Sequence, residues 1–299
     1  MPAALTPVVL LKALIAIVVF GAAPASIRAV SMDAYSLGIL RLAAAGLMMG
    51  AILRFQGKLS ASIVAQWSTR SWIVLGVVGL MFGLHWLTYF LSIKWASAAT
   101  GAIGFTTYGV QLPLLGWALG FGRPTWQMWL ALAIALTGAA FCLPRWEYQP
   151  SYTPGLVLGI FSGTFYAALP LLHQRFADLG HGLRVWGQFC FALPVFLLFW
   201  PLTEWQFTQA DLPWLILLTL VITLVGHYFW IDAITDLPVQ VTSVLAYLQL
   251  PVSVFMSWLL IGEQITGSML IGAALVVAGN IVAVQAARTR GIVAEESEG

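Results

Sequence analysis

Charged side chains are scarce in this 299-residue sequence, in which Asp, Glu, Lys and Arg together make up 8% of the residues. A soluble domain carries charge on about a quarter of its residues, so the composition excludes an ordinary soluble protein. The net charge of +2 is too small for the basic surface that binds DNA or RNA, and we expect no nucleic-acid partner. Hydrophobic residues instead make up 61% of the chain, which indicates a protein of the lipid bilayer.

Cysteine and metal-binding motifs are also nearly absent. The two cysteines, Cys142 and Cys190, lie in apolar stretches, so neither a disulfide framework nor a multi-cysteine metal cluster is available. The sequence has no His-Glu-x-x-His motif and no glycine-rich loop ending in Lys-Ser or Lys-Thr, which argues against a metalloprotease and an ATP-driven pump. Ile160 stands where a Gly-x-Ser-Gly motif around Ser162 would place glycine. We therefore predict no metal, no cofactor and no enzymatic activity, with an intramembrane enzyme as a distant alternative.

Long apolar runs fill the rest of the chain. One membrane-crossing helix needs about 20 residues, so a chain of this length has room for roughly ten. Polar residues separate ten such runs, at 6–28, 34–54, 72–93, 97–121, 126–143, 154–174, 183–201, 212–232, 238–260 and 266–286. Lipid cannot satisfy backbone polar groups, and a barrel would show short alternating segments, so these continuous runs predict helices. The expected fold is an all-α polytopic membrane protein of ten transmembrane helices.

Basic residues in the connections predict the orientation of the chain. With a cytoplasmic N-terminus, the residues that fall inside are Arg54, Lys58, Arg70, Arg123, Arg175, Arg184, Arg288 and Arg290, and those outside are Arg28, Lys94 and Arg145. Cytoplasmic loops of membrane proteins carry an excess of Lys and Arg. Both termini are therefore predicted to lie in the cytoplasm.

The second half of the sequence repeats the first. The tripeptide Gln-Leu-Pro at 111–113 returns at 249–251, and the same alignment places Tyr89 opposite His227. We assign residues 1–146 and 152–287 to two five-helix repeats, followed by a polar cytoplasmic tail at 288–299. Five is an odd number, so the second repeat is inverted relative to the first. Inverted repeats that meet around a midplane site are typical of secondary transporters.

These features resemble a known family. The two five-helix halves, the short loops, the glycine-rich fifth and tenth helices and the Gly262-Glu263 pair before the last helix are similar to the EamA family of the drug/metabolite transporter superfamily. The segment Gly-Leu-His-Trp-Leu-Thr-Tyr-Phe at 83–90, followed by 102–113, resembles the YddG-type aromatic amino-acid exporters within it. The resemblance covers residues 1 to about 287. It implies a carrier in a bacterial inner membrane that exports aromatic amino acids and related small metabolites.

Four prolines lie in matched apolar runs: Pro24, Pro113, Pro170 and Pro251. A proline inside a helix leaves the carbonyl four residues earlier without its donor. The carbonyls concerned belong to Phe20, Gly109, Tyr166 and Tyr247. Either these carbonyls line a wet cavity and accept from a substrate ammonium group, or the prolines act as conformational hinges, which is the interpretation we assign.

Polar aromatic residues share faces on matched helices. His85 and Tyr89 are four residues apart, and His227 and Trp230 are three apart, so each pair lies on one helix face. A single histidine fits a structural hydrogen bond between helices, whereas the whole set predicts one cavity in which an aromatic substrate stacks on rings. The predicted substrate-binding residues are His85, Tyr89, Tyr108, Gln111, Tyr166, His227, Trp230, Tyr247 and Gln249.

The sequence places no carboxylate in the middle of an apolar run, so it offers no buried acid of the kind that carries protons in coupled pumps. We expect facilitated diffusion by alternating access around a midplane cavity. The alternative is a proton-coupled exporter of other metabolites or drugs, because histidine titrates near neutrality. A channel is a distant alternative, since neither a ring of like charges nor a carbonyl filter is visible. Arg41, the deepest basic residue, either snorkels to the headgroups, locks the first half together or attracts a carboxylate.

Spaced glycines predict close helix packing within the chain. The motif Gly-x-x-x-Gly occurs at 46–50, 79–83, 116–120 and, as a double motif, at 155–163. Packing inside one chain accounts for these glycines, so we expect a monomer rather than a homodimer. The expected partners are a small aromatic substrate and the lipid bilayer.

Overall fold

The computed structural model of the protein describes residues 6–96, 98–141, 152–262 and 265–298, and across these ranges the chain forms helices without a strand. The helices of the first half are α1 Pro7–Gly21, α2 Ala23–Ala29, α3 Ala34–Phe55, α4 Ala61–Val64, α5 Thr69–Trp95, α6 Ala98–Thr106, α7 Tyr108–Ala118 and α8 Trp126–Phe141. Those of the second half are α9 Tyr152–Arg175, α10 His181–Leu197, α11 Leu212–Ile216, α12 His227–Asp236, α13 Val239–Leu245, α14 Gln249–Ile261 and α15 Gly267–Glu298. The predicted all-α class is confirmed.

Seven helical segments in the described part of the chain are long and apolar enough to cross a membrane. They are Pro7–Ala29, Ala34–Phe55, Thr69–Trp95, Thr153–Arg175, Gln209–Asp236, Val239–Leu260 and Gly267–Ala287. The other three predicted runs form shorter helices: α8 has 16 residues, α10 has 17, and the run at 97–121 is divided between α6 and α7. The chain is thus a multi-pass membrane protein by the length and composition of its helices, and ten crossings stay a prediction.

Local sequence explains where two of the long helices begin. The Asp33 carboxylate accepts hydrogen bonds from the N–H groups of Tyr35 at 2.7 Å and Ser36 at 3.0 Å, and Ser68 accepts from the N–H of Ser71 at 3.2 Å. A short polar side chain at this position satisfies N–H groups that have no partner within the helix. Helices α3 and α5 therefore start where a capping residue precedes an apolar run.

Two apolar runs contain an interruption at matched places. Helix α6 ends at Thr106 and α7 begins at Tyr108, while a 3-10 turn, Ala246–Leu248, separates α13 from α14. Each break lies shortly before one of the Gln-Leu-Pro tripeptides. The two broken segments meet, because a Cβ added to Gly109 would come within 2.4 Å of the Tyr247 ring. Discontinuous helices of this kind surround the binding site in secondary transporters.

The four predicted hinge prolines occupy two kinds of position. Pro113 and Pro170 lie inside α7 and α9. Pro24 and Pro251 lie in the first turns of α2 and α14, directly after an interruption, where a helix has no hydrogen bond for proline to remove. The argument from a carbonyl freed within a helix therefore applies to Pro113 and Pro170 but not to the other two.

The helices approach most closely at glycines. A Cβ on Gly104 of α6 would lie 2.6 Å from the Cα of Gly159 of α9, which leaves no room for a side chain between them. Gly138 on α8 and Gly279 on α15 face the backbone of the opposite helix in the same way, at 2.6 and 2.8 Å. The predicted packing of glycine motifs within one chain is confirmed at Gly159. Cys190 is a free thiol in this core, whereas Cys142 and Glu263 lie outside the described residues.

We expect Gly159→Val to separate α6 from α9 and to lower the stability of the purified protein by about 1–3 kcal/mol, because overpacking forces backbone shifts. The matched control is Gly76→Val, since nothing lies within 4 Å of a Cβ at Gly76, which is also helical. Thermal unfolding in detergent measures the difference. Equal melting temperatures for the two variants would contradict the packing described.

Candidate functional site

A small cavity of about 40 Å³ lies between the two halves of the chain. Both halves contribute to its lining, and five of the predicted substrate-binding residues take part: His85, Tyr89, Tyr166, His227 and Gln249. Helices α5, α9 and α12 supply four of these side chains and the start of α14 supplies the fifth. The structure therefore brings together residues that are up to 164 positions apart in the sequence (249 − 85 = 164).

Aromatic rings form most of the cavity wall. The ring centroids of His85 and Tyr89 are 5.9 Å apart along α5, and that of Tyr166 lies 4.6 Å from His85. Phe20 of α1 lies 4.7 Å from His227. These separations fall in the range of favourable offset and edge-to-face ring contacts. A planar aromatic ligand would find partners on several sides of this space.

Both cavity histidines hold fixed hydrogen bonds. His85 Nδ1 shares a hydrogen bond with the Ser162 hydroxyl of α9 at 2.7 Å. His227 Nδ1 lies 3.2 Å from the carbonyl of Ile222 and 3.0 Å from that of Thr223, so this nitrogen carries the proton and donates it. In a neutral ring the opposite nitrogen is then an acceptor. The expected structural hydrogen bond between helices is present for His85, while His227 bonds within its own helix.

A π-helical segment, Leu217–Gly226, leads into α12 and shapes one side of the cavity. The π-helix is rare, and where it occurs it is often near a functional site. In a π-helix a carbonyl lies close to the residue five positions later. Here Thr223 Oγ1 donates to the carbonyl of Leu218 at 2.6 Å. The hydroxyl oxygen of Thr223 remains able to accept from another helix.

That second partner is Arg41 of α3. Its Nε and Nη2 groups donate to Thr223 Oγ1 at 3.1 and 2.8 Å, and its guanidinium carbon lies 4.2 Å from the ring centroid of Trp86 and 5.1 Å from that of Phe90. The side chain is 1% exposed, so the expectation of snorkelling is wrong. The ring contacts join α3 to α5 within the first half, as one of the expectations for Arg41 had it. The hydrogen bonds to Thr223 also join the first half to the second.

Polar contacts tie the two halves together at one end of the molecule. Lys12 near the start of α1 pairs with Asp232 of α12. At the start of α5, Arg70 Nη1 lies 2.7 Å from Asp178 Oδ2, and this hydrogen bond holds the pKa of the Asp178 carboxyl below its usual value. Both pairs join a residue of the first half to one of the second.

A second set of contacts ties the halves together at the opposite end. Asp211 Oδ1 accepts from the N–H of Ser31 at 2.8 Å, and Asp33 Oδ2 accepts from the N–H of Glu204 at 2.8 Å. The cavity lies between these two sets of contacts. Polar contacts between the two halves therefore lie beyond the cavity in both directions along the helices.

The other predicted substrate-binding residues lie around this cavity rather than on it. Trp230 lines a narrow neighbouring space, and the Tyr108 ring packs 4.9 Å from that of Tyr166. Gln111 donates to Thr107 Oγ1 at 2.9 Å within its own helix, and Tyr247 is wholly buried. Gln111 and Tyr247 are thus not among the residues that line the cavity as it stands.

Several lining residues were not predicted from the sequence: Arg41, Trp86, Phe90 and Phe105. Trp86 and Phe90 directly follow His85 and Tyr89 in the sequence and are likewise four residues apart. This spacing indicates a second aromatic face on the same helix and could have been used to predict both residues. For Arg41 the signal was a single basic residue within a long apolar run. No local pattern connects it to Thr223, which is 182 residues away.

Two larger grooves, of about 510 and 470 Å³, lie between α3 and the chain from α11 to α12; the first includes residues 40–48 of α3 and the second residues 49–53. The first is lined almost entirely by apolar residues, among them Leu40, Ala44 and Leu220. An apolar groove along the outside of membrane helices suits lipid acyl chains. The polar residues and matched halves point to the smaller, central cavity as the candidate site.

Comparison with known proteins agrees with this architecture. Residues 153–285 match the model of the EamA-like transporter family. A crystal structure superposes with a TM-score of 0.77 over 93% of this chain and 98% of the other, at 19% identity, which shows a shared fold. No curated protein matches the chain. The fold and the family match together define a transporter-like, multi-pass membrane protein. The resemblance to the EamA family expected from the sequence is confirmed.

We expect Ser162→Ala to destabilise the protein by about 1–3 kcal/mol, because it leaves the buried His85 without its closest side-chain partner. Thr164→Ala on the same helix is the control, since Thr164 is exposed and its hydroxyl bonds only to the carbonyl one turn earlier. Melting temperatures in detergent compare the two. A loss of stability no larger for Ser162→Ala than for Thr164→Ala would show that the His85 contact is not a structural one.

Proposed function

We propose that this protein is a secondary transporter of a bacterial inner membrane that exports aromatic amino acids and related small metabolites by alternating access. The observation that carries the proposal is the central cavity. It is built from both halves, it is lined by aromatic rings, imidazoles and an amide, and contacts between the halves lie beyond it towards both ends of the helices. The aromatic cargo follows from the resemblance to YddG-type exporters and is compatible with this lining.

The helix contacts support the proposed pair of inverted repeats. Helix α5 packs against α9, and its counterpart, α12 with the preceding π-helical segment, packs against α1. Likewise α5 packs against α10, and the π-helical segment packs against α3. The fifth predicted run of each half, α8 and α15, pack against each other. Exchanging the two halves therefore reproduces the pattern of contacts, as two repeats that rock about a central axis require.

The size of the cavity supports a carrier rather than an open pore. A volume of about 40 Å³ holds about three water molecules and is too small for an indole ring. Substrate entry thus requires that one set of inter-half contacts opens while the other stays closed. In the proposed orientation, with ten crossings and both termini in the cytoplasm, Lys12–Asp232 and Arg70–Asp178 form the cytoplasmic closure. Asp33 and Asp211 belong to the outer one.

The lining contains neither aspartate nor glutamate among the described residues. A proton-coupled pump usually carries its proton on a membrane-buried carboxylate, so we propose uncoupled facilitated diffusion. His85 and His227 support a second candidate, a proton-coupled exporter of other metabolites or drugs, because each half places one imidazole at the cavity and imidazole ordinarily titrates near neutrality.

Purified protein in liposomes is expected to speed the entry of tryptophan and phenylalanine above the rate in empty liposomes, because ring stacking lowers the free energy of the bound state. Threonine and methionine serve as non-aromatic comparisons. Radiolabelled uptake provides the measurement.

An imposed pH gradient separates the two candidates in the same vesicles. Unchanged aromatic flux agrees with facilitated diffusion, whereas accumulation against a substrate gradient would establish coupling. Uptake of another metabolite without any aromatic substrate would overturn the proposed cargo, and large unitary currents would overturn the carrier.

We expect Tyr89→Ala and Trp230→Ala to slow aromatic flux at least about tenfold, because each removes a buried ring at or next to the cavity. Phe161→Ala and Trp258→Ala are matched controls at exposed positions. Flux is normalised to the amount of folded protein recovered by size exclusion. Normal flux in both cavity variants would place the transport path elsewhere.

A further inference from the structure

The cavity contains a buried cation that the chain does not neutralise. Arg41 uses Nε and Nη2 for Thr223 and lies over the faces of Trp86 and Phe90, but its Nη1 is buried without a hydrogen-bond partner among the described residues. A guanidinium carries donors on all three nitrogens, so one edge remains unused. A buried charge is ordinarily paired, because removal from water is costly.

The surroundings of Arg41 supply no counter-ion. None of the cavity-lining residues in the described part of the chain is an aspartate or glutamate. Asp232 pairs with Lys12 and Asp178 pairs with Arg70. The Thr223 hydroxyl and the aromatic rings stabilise the buried guanidinium of Arg41, but these groups carry no negative charge.

A second unused donor lies at the same cavity. The Tyr89 hydroxyl is buried and has no partner among the described residues, and both Tyr89 and Arg41 line the central space. Buried polar groups without partners are uncommon in folded proteins, and two in one cavity point to a ligand that accepts hydrogen bonds. An anionic oxygen pair can accept from a guanidinium edge and a hydroxyl together.

We infer that Arg41 receives the carboxylate of the substrate and that the cavity recognises the aromatic ring and the carboxylate, without requiring the ammonium group of an amino acid. This inference rests on the proposed function, in which the central cavity is the transport site. The carboxylate accepts from Arg41 Nη1 and from the Tyr89 hydroxyl, while the ring stacks on the aromatic wall. The substrate class is small aromatic monocarboxylates, with or without an ammonium group.

The same charge rejects aromatic amines. An amine that lacks a carboxylate would bring a second positive charge next to Arg41, and no lining carboxylate in the described residues would offset it. Like charges brought together in a buried site oppose binding and provide specificity. If Arg41 served only to bond Thr223, this discrimination would not arise. The bonds to Thr223 use Nε and Nη2 of the guanidinium and not Nη1.

The test compares ligands of one shape and different charge. Indole-3-propionate, indole-3-propionamide and tryptamine are titrated against the full-length protein in detergent at pH 7, with thermal shift as the readout of binding. The wild-type protein is expected to bind the carboxylate at least about tenfold more tightly than the amide, since a hydrogen bond to a charged group is stronger than one between neutral groups. Tryptamine is expected to bind most weakly.

Three variants separate recognition from structure. Arg41→Met keeps most of the side-chain volume and should abolish the preference for the carboxylate. Thr223→Val removes the tie between Arg41 and the π-helical segment but keeps the charge, so it should retain the preference even if the protein melts earlier. Arg41→Lys should keep the preference with weaker binding, because an ammonium lacks the planar fork.

Equal binding of carboxylate and amide by the wild-type protein overturns the inference, whether or not the Arg41 variants fold. A preference that survives in folded Arg41→Met also overturns it. Liposome flux identifies failure of the proposed function separately: carboxylate-selective binding without flux of any aromatic compound refutes the transport proposal and leaves the binding inference standing. Flux of aromatic amines as fast as that of matched carboxylates refutes the inference and leaves transport standing.

Discussion

The structure depends on one constraint, which is that lipid offers no hydrogen-bond partner to the backbone. Apolar runs must therefore be helical wherever they face the bilayer, and an interruption is tolerable only where protein covers it. The breaks after Thr106 and after Leu245 meet this condition, because the segments that follow them pack on each other at Gly109 and Tyr247. The irregular backbone thus gathers in the interior, between the halves, next to the central cavity.

The same constraint explains why polar side chains at the centre of the molecule hydrogen-bond to one another or to backbone carbonyls. Ser162 bonds His85, and the π-helical register provides carbonyls to Thr223 and His227. Each of these contacts satisfies a group that would otherwise be buried at a cost. Arg41 Nη1 and the Tyr89 hydroxyl are among the buried polar atoms of the described residues that have no partner, and both belong to residues that line the central cavity. Unsatisfied donors are useful at a binding site.

Different contacts join the helices at their ends and in the interior of the molecule. At the ends of the helices, opposite charges and capped loops join one half to the other, and such contacts near water are individually weak. In the interior, glycines such as Gly104 and Gly159 bring the helix backbones close together. In the proposed alternating access, the weak contacts at each end would open in turn, while the close glycine contacts between the halves, such as Gly104 with Gly159, lie within the helices.

The sequence by itself determined the all-helical membrane class, the family resemblance and one face of the cavity. These follow from composition and from short spacings: four residues bring His85 and Tyr89 onto one side of a helix, because a helix has 3.6 residues per turn. Spacing of the same kind brought His227 to the site, whereas Gln111 and Tyr247, also assigned to the lining from the sequence, do not line the cavity in this structure. Only the tertiary structure decided the pairing of Arg41 with Thr223, the contacts between the halves at both ends of the helices and the small volume of the cavity. Those features join residues far apart in the chain, and their distances are set by how helices of the two halves pack, which no local periodicity records.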